Sequence, residues 1–175
     1  MNRGGRLLGA LALSLLLAGC QGPHSYVSED LDLACARGPL RTLISFRARP
    51  GEGDAVRALV ERSFLRELEA TGRFVPVAAA RYDELSQEAW HPHGPPAWLL
   101  ERLAQEGVEA LAMVSLRNYE PFPAQELALS VEIHSTRGED VLLYRTAGRR
   151  RQEALPSTRA LVRDVCCAVL TEAHQ

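Results

Sequence analysis

The chain has 175 residues, 46% of them hydrophobic and 24% charged, an ordinary globular composition long enough to bury one compact core. All 20 basic residues are Arg, so Schiff-base lysine and phosphate-loop lysine chemistry are excluded. A formal net charge of −2 leaves no global basic field for nucleic acid. At the N-terminus Arg3 and Arg6 precede an uncharged apolar run from Leu7 to Ala18. That run of about 12 residues is short of the ~20 a membrane span needs, and it fits the apolar region of a secretory signal.

The run ends in Leu17-Ala18-Gly19-Cys20, which resembles the bacterial lipobox. The resemblance implies a signal peptide over 1–19, cleaved before Cys20, and acyl chains (diacylglycerol, palmitate) on that cysteine. More than one chain makes such an anchor stable. Gln21 stands where an Asp would favour retention at the inner membrane. By resemblance to lipoprotein sorting in diderm bacteria, the expected location is the outer membrane, facing the periplasm. Loss of Arg3 and Arg6 would leave 18 Arg against 22 acidic residues, which also argues against a nucleic-acid partner.

Residues 20–38 are polar and aperiodic and read as a lipid-anchored tether, with a single α/β domain over 39–175. LRTLISFRA (40–48) reads as a strand, closed by RPGEG. Asp54 then opens a helix whose Val56, Leu59, Val60, Ser63, Phe64 and Leu68 share a face, and Gly72 stops it. RFVPV follows as a short strand, which Pro76 confines to a sheet edge. Residues 81–96 read as an irregular polar crossover. Pro95-Pro96 opens a second helix with Trp98, Leu99, Leu103 and Ala104 on its apolar side and Gly107 at its end.

EALAMVSL (109–116) is apolar on both faces, as a doubly covered central strand requires. In ELALSVEIHS, Leu127, Leu129, Val131 and Ile133 point one way, and Ala128, Ser130, Glu132 and His134 the other. Thr136-Arg137-Gly138-Glu139 turns the chain into the hairpin partner DVLLYRTAG. Ser157 caps a last helix running to about Ala173. The order β-α-β-α-β-β-β-α predicts an α/β (α+β) fold, a single layer of mixed sheet packed by helices.

Three stretches carry a resemblance: ALVERSFLRELEATGRFVPV, GVEALAMVSLRNYEP and LALSVEIHSTRGEDVLLYR, the last with its Thr136-Arg137-Gly138-Glu139 turn. Together they resemble a group of bacterial envelope lipoproteins and periplasmic domains. The group includes the curli secretion lipoprotein, the lipoprotein activator of penicillin-binding proteins, flagellar outer-membrane lipoproteins and the N-terminal domain of the Tol–Pal propeller protein. The likeness spans nearly the whole mature domain and concerns architecture, not catalytic residues. It implies a non-enzymatic role, binding a protein partner in envelope assembly.

Candidate chemistry is sparse. His91 and His93 in WHPHG are two zinc-type ligands, but a site needs three or four, and an exposed proline-rich loop outweighs a metal site. No serine lies in a Gly-x-Ser-x-Gly context and no phosphate-cradling loop is present, so no catalytic residue and no cofactor is assigned. Tyr119 and Phe122, in a proline-flanked strand end, are candidate partner anchors or a cap on the core. Arg149, Arg150 and Arg151 are candidates for an acidic partner or anionic head groups, weighed against an ordinary solvated run.

With Cys20 acylated, three thiols remain in an oxidising compartment. Adjacent helical cysteines cannot bond one another, so the expected disulfide joins Cys35 to Cys166 or, if the tail crosses the outer face, to Cys167. The expected function is an outer-membrane lipoprotein with a non-catalytic, partner-binding domain. The alternatives are a small-molecule or metal-binding lipoprotein and, behind it, an envelope hydrolase.

Overall fold

A computed structural model describes residues 25–48, 54–78, 82–91, 93–120, 125–138, 140–151 and 157–171. The signal segment, Cys20 and Phe122 lie outside the described residues, as do the side chains of Arg150 and Arg151.

Six strands form one mixed sheet. Next to one edge, β2 (Leu40–Arg47) lies parallel to both β3 (Phe74–Pro76) and β4 (Ala110–Glu120). The chain then meanders antiparallel through β5 (Gln125–Ser135) and β6 (Val141–Arg151). The strand β1 (Ser25–Val27) closes the far edge against β6, giving the order β1-β6-β5-β4-β2-β3. Pro76 sits on an edge strand, as its missing N–H demands. Five helices accompany the sheet among the described residues: α1 (Asp30–Cys35), α2 (Asp54–Ala70), α3 (Asp83–Glu88), α4 (Ala97–Gln105) and α5 (Thr158–Leu170). Setting aside β1, α1 and α3, the order is the expected β-α-β-α-β-β-β-α.

One face of the sheet is fully covered. Val60, Phe64 and Leu68 of α2, with Leu161, Val162, Val165 and Val169 of α5, bury against Ala112, Val114, Leu129, Val131 and Ile133. The alternation along β5 put those three strand residues on a common side, and the helices' 3.6 period supplies the matching stripes. Ser157 caps α5 by accepting a hydrogen bond from the Ala160 amide at 3.3 Å. Arg145 is buried on this same face, and its Nη1 donates to the Thr171 carbonyl, meeting the negative end of α5.

The other face is covered over part of its width. Leu99, Leu100 and Leu103 of α4, with Tyr82 and Ala89 flanking α3, pack on Leu43 of β2 and on Leu111 and Met113 of β4. No helix of this second cluster reaches β5 or β6, whose outward residues Ser130, Glu132, Tyr144 and Thr146 face a groove or solvent.

Four expectations need correction. The tether read over 20–38 is folded from Ser25 onward: β1 pairs with β6, the Ser28 amide donates to the Leu142 carbonyl at 3.0 Å, and Leu31 enters the main core at 1% exposure. A segment that buries one leucine from a three-residue strand and a six-residue helix shows no periodicity, so its polar composition misleads. The crossover at 81–96 is not irregular throughout, because α3 lies within it. Trp98 is exposed, with Leu100 taking the inward place; the buried triplet Leu99, Leu100, Leu103 centres the apolar face about 145° away from Trp98.

The fourth concerns the staple. Cys35, Cys166 and Cys167 are free thiols, and the bond from Cys35 to Cys166 or Cys167 is not formed. Cys35 Sγ lies 3.7 Å from the Arg73 carbonyl before β3, whereas Cys166 Sγ lies 4.0 Å from the Val60 carbonyl inside the α2–α5 interface. Cys167 is exposed on the outer side of α5, and burial pushes the Cys166 thiol up to about 12.

Candidate functional site

Because α3 and α4 stop over β4, a groove of about 420 Å³ runs across the half-open face of the sheet. Its floor comes from alternate positions of four strands: Arg47, Ser115, Arg117, Ser130, Glu132 and Tyr144. Its wall is the segment after α3, with Trp90, His91 and Gly94. Buried Ala89 anchors that wall, and Gly94 adopts φ +90° where it passes the ring of His134.

Several of its polar groups are held by neighbours. Trp90 Nε1 donates to Ser45 Oγ at 2.6 Å, and the Arg47 guanidinium lies 5.6 Å from the centroid of the Trp90 ring, a cation–π distance. Arg117 Nε donates to Ser130 Oγ at 2.9 Å across the β4–β5 ladder. His134, itself buried, brings Nε2 to 2.8 Å from Glu132 Oε1 in a bent approach. That contact is the largest cause holding the Glu132 carboxyl below its ordinary range; burial opposes it, and the His134 and Arg117 charges assist.

The result is a polar trough with an indole and a phenol at its sides, two guanidiniums and an ionised carboxylate on its floor. Such a surface can hydrogen-bond a polar ligand and stack on its flat or apolar parts. A nucleophile with an adjacent base does not assemble in it among the described residues. No group of three His, Cys, Asp or Glu positioned to hold a metal ion occurs among them either.

Of the residues singled out from the sequence, His91 lines the groove and His93 lies beside it, the two rings 6.0 Å apart and both exposed. Tyr119 is half-buried and packs against the helix-covered core, away from the groove. Arg149 is exposed opposite Leu127, on the helix side of the sheet. The structure therefore does not gather Tyr119, Arg149 and the histidines into one site. Sequence reading passed over Arg47, Arg117, Glu132 and Tyr144. The alternation of β5 did carry the signal for Glu132, since it set Ser130, Glu132 and His134 on one side.

No protein-family model matches the chain, and no curated protein does. Solved structures share its fold. The PelC L103M dodecamer from Paraburkholderia phytofirmans aligns at 13% identity over 85% of this chain and 96% of that one, with a TM-score of 0.60. The lipoprotein GNA1162 from Neisseria meningitidis aligns at 17% identity over 75% and 94%, with a TM-score of 0.52. The small α/β fold expected from the sequence is thus one that this chain shares with PelC and with the lipoprotein GNA1162.

Proposed function

We propose that the chain is an outer-membrane lipoprotein, acylated on Cys20, whose periplasm-facing domain works by binding protein, including further copies of itself, in cell-envelope assembly. The observation that carries this reading is the pairing of a lipobox with a fold held in common with a lipoprotein and with PelC, which is a dodecamer. The surface supports it. The sheet leaves both edges, β1 and β3, unpaired among the described residues, with Tyr26 53% and Val75 46% exposed there. Trp98, 52% exposed on α4, is the kind of large side chain that anchors protein interfaces. No described helix is long and apolar enough to cross a membrane; on this reading the acyl chains on Cys20 supply the attachment.

The test is the native mass and the membrane partition of the purified full chain in neutral detergent. Expected are discrete homo-oligomers and membrane fractionation lost in Cys20→Ala. A chain monomeric at every concentration, and without partners in crosslinked envelopes, overturns the assembly reading.

A second reading rests on the groove: a polar small molecule bound between Trp90 and Tyr144. Quenching of Trp90 emission by a candidate ligand, abolished in Glu132→Gln, would favour it.

A further inference from the structure

The helix-covered side of the molecule carries a second cavity, which the groove and the assembly reading leave unused. A cleft of about 440 Å³ opens between α2 and α5. Arg62 and Arg66 line it from α2, and Arg159 and Arg163 from α5, with Ser157 at the N-terminus of α5 completing the rim. Four guanidiniums thus meet around one depression in a chain whose net charge is negative. Their neutralisation inside the molecule is incomplete. Arg66 pairs with Glu67 at 2.9 Å, and Arg163 approaches Asp164 at 3.9 Å. Among the described residues no carboxylate pairs with Arg62 or Arg159; Arg62 Nε donates to the Ala58 carbonyl of its own helix.

Like charges converge at a cost unless an anion shares the site, and planar guanidinium forks match the oxygens of a phosphate. The positive end of α5 adds to the same field. We propose that this cleft binds the phosphate of an anionic lipid head group in the membrane to which the chain is anchored. The source follows from the course of the chain, and so the inference rests on the lipoprotein reading. Ser25, the first described residue, pairs with Arg145 of β6, four residues before Arg149. Cys20 is five residues from Ser25 and therefore within about 18 Å of it. Ser157 is six residues from Arg151, within about 21 Å of it by the same reach. The reach of Cys20 from Ser25 matches the length of α5, about 20 Å, which runs from Thr171 beside Arg145 back to Ser157 at the cleft, so the cleft can meet the membrane that the anchor enters, where head groups are the anions at high local concentration.

The experiment is native mass spectrometry of the full chain in uncharged detergent micelles, titrated in parallel with phosphatidylglycerol, phosphatidylcholine and inorganic pyrophosphate. Expected is retention of phosphatidylglycerol over phosphatidylcholine, lowered about tenfold or more in Arg62→Gln/Arg159→Gln, which deletes two charge-assisted contacts. Both positions are exposed, so the double variant keeps the fold, which circular dichroism checks. The exposed pair Arg37→Gln/Arg57→Gln removes the same charge outside the cleft and should leave retention unchanged. Equal loss in that control overturns the cleft in favour of diffuse charge. Pyrophosphate bound in the cleft without any preference for phosphatidylglycerol overturns the membrane source, and no retention of either overturns the site. The intact mass of the same sample reports acylation of Cys20 separately, so a failure of the lipoprotein reading is read apart from a failure of the cleft.

Discussion

Replacing Leu31 by Ala tests whether the segment before β2 belongs to the folded unit. Leu31 is the buried residue of α1, 1% exposed and part of the main core, while Leu33 on the same helix is 71% exposed. Leu31→Ala removes three carbon atoms from the interior; at about 0.8 kcal/mol each, transfer alone costs about 2.4 kcal/mol. A residual cavity adds to this, but α1 has six residues and few contacts to hold it open, so collapse keeps the total near 2–4 kcal/mol. Leu33→Ala makes the same chemical change at an exposed site and should stay within about 0.5 kcal/mol. Urea unfolding of both full-chain variants, with matched slopes, measures the difference. If Leu31→Ala is no more destabilising than Leu33→Ala, α1 is a tether lying loosely on the domain and the folded boundary reverts to residue 39.

Four further outcomes follow from the same geometry. Thiol reagents should label Cys167 first, Cys35 more slowly and Cys166 only on unfolding, since burial raises the Cys35 and Cys166 thiols while Cys167 is exposed; equal rates for Cys166 and Cys167 in timed alkylation would contradict the packing of α5. The raised Cys166 thiol favours the fold fully below its unfolded value of 9.0, and this contribution should drain away as pH climbs from there towards about 12, an alkaline loss that Cys166→Ala abolishes in pH-dependent melting. Glu132 has the opposite sign: its lowered folded value stabilises above 4.5 and is lost as pH falls through the folded value, so Glu132→Gln should flatten the acid limb of the stability curve. Ser157→Ala should cost about 1 kcal/mol by removing the cap on α5, against no change for Ser157→Asp.

The regular elements were legible because their residues repeat. The face of α2 around Val60, Phe64 and Leu68, the two-sided apolar run of β4 and the alternation of β5 each state a period that one packing arrangement satisfies. The edge placement of Pro76 and the cap at Ser157 were legible from backbone chemistry. What escaped is what depends on a single side chain or on distance through space. One leucine fastens α1, one step of helix phase turns Trp98 outward, and the separation of Cys35 from Cys166 is set by the elements between them. The groove escaped for a related reason: Arg47, Trp90, Glu132 and Tyr144 come from four separate segments, and only the sheet order brings them together.

The unequal cover of the two sheet faces also limits what can bind there. A further helix over β5 and β6 would bury Glu132 and Arg117, with the surrounding Ser and Thr hydroxyls, and each would have to exchange water for a partner of matched polarity. An apolar helix cannot supply those partners, so the chain gains nothing by closing this face itself. A protein or ligand that does close it must bring a donor to the Glu132 carboxylate and acceptors to Arg47 and Arg117, while Trp90 and Tyr144 reward a flat or apolar surface between them. That combination favours a polar, specific occupant over non-specific hydrophobic association. The bare edges at β1 and β3, whose main-chain groups ask only for another strand, suit contacts between copies. The two kinds of surface are therefore chemically separate, and a substitution such as Glu132→Gln should alter ligand quenching of Trp90 while leaving the native mass of the assembly unchanged.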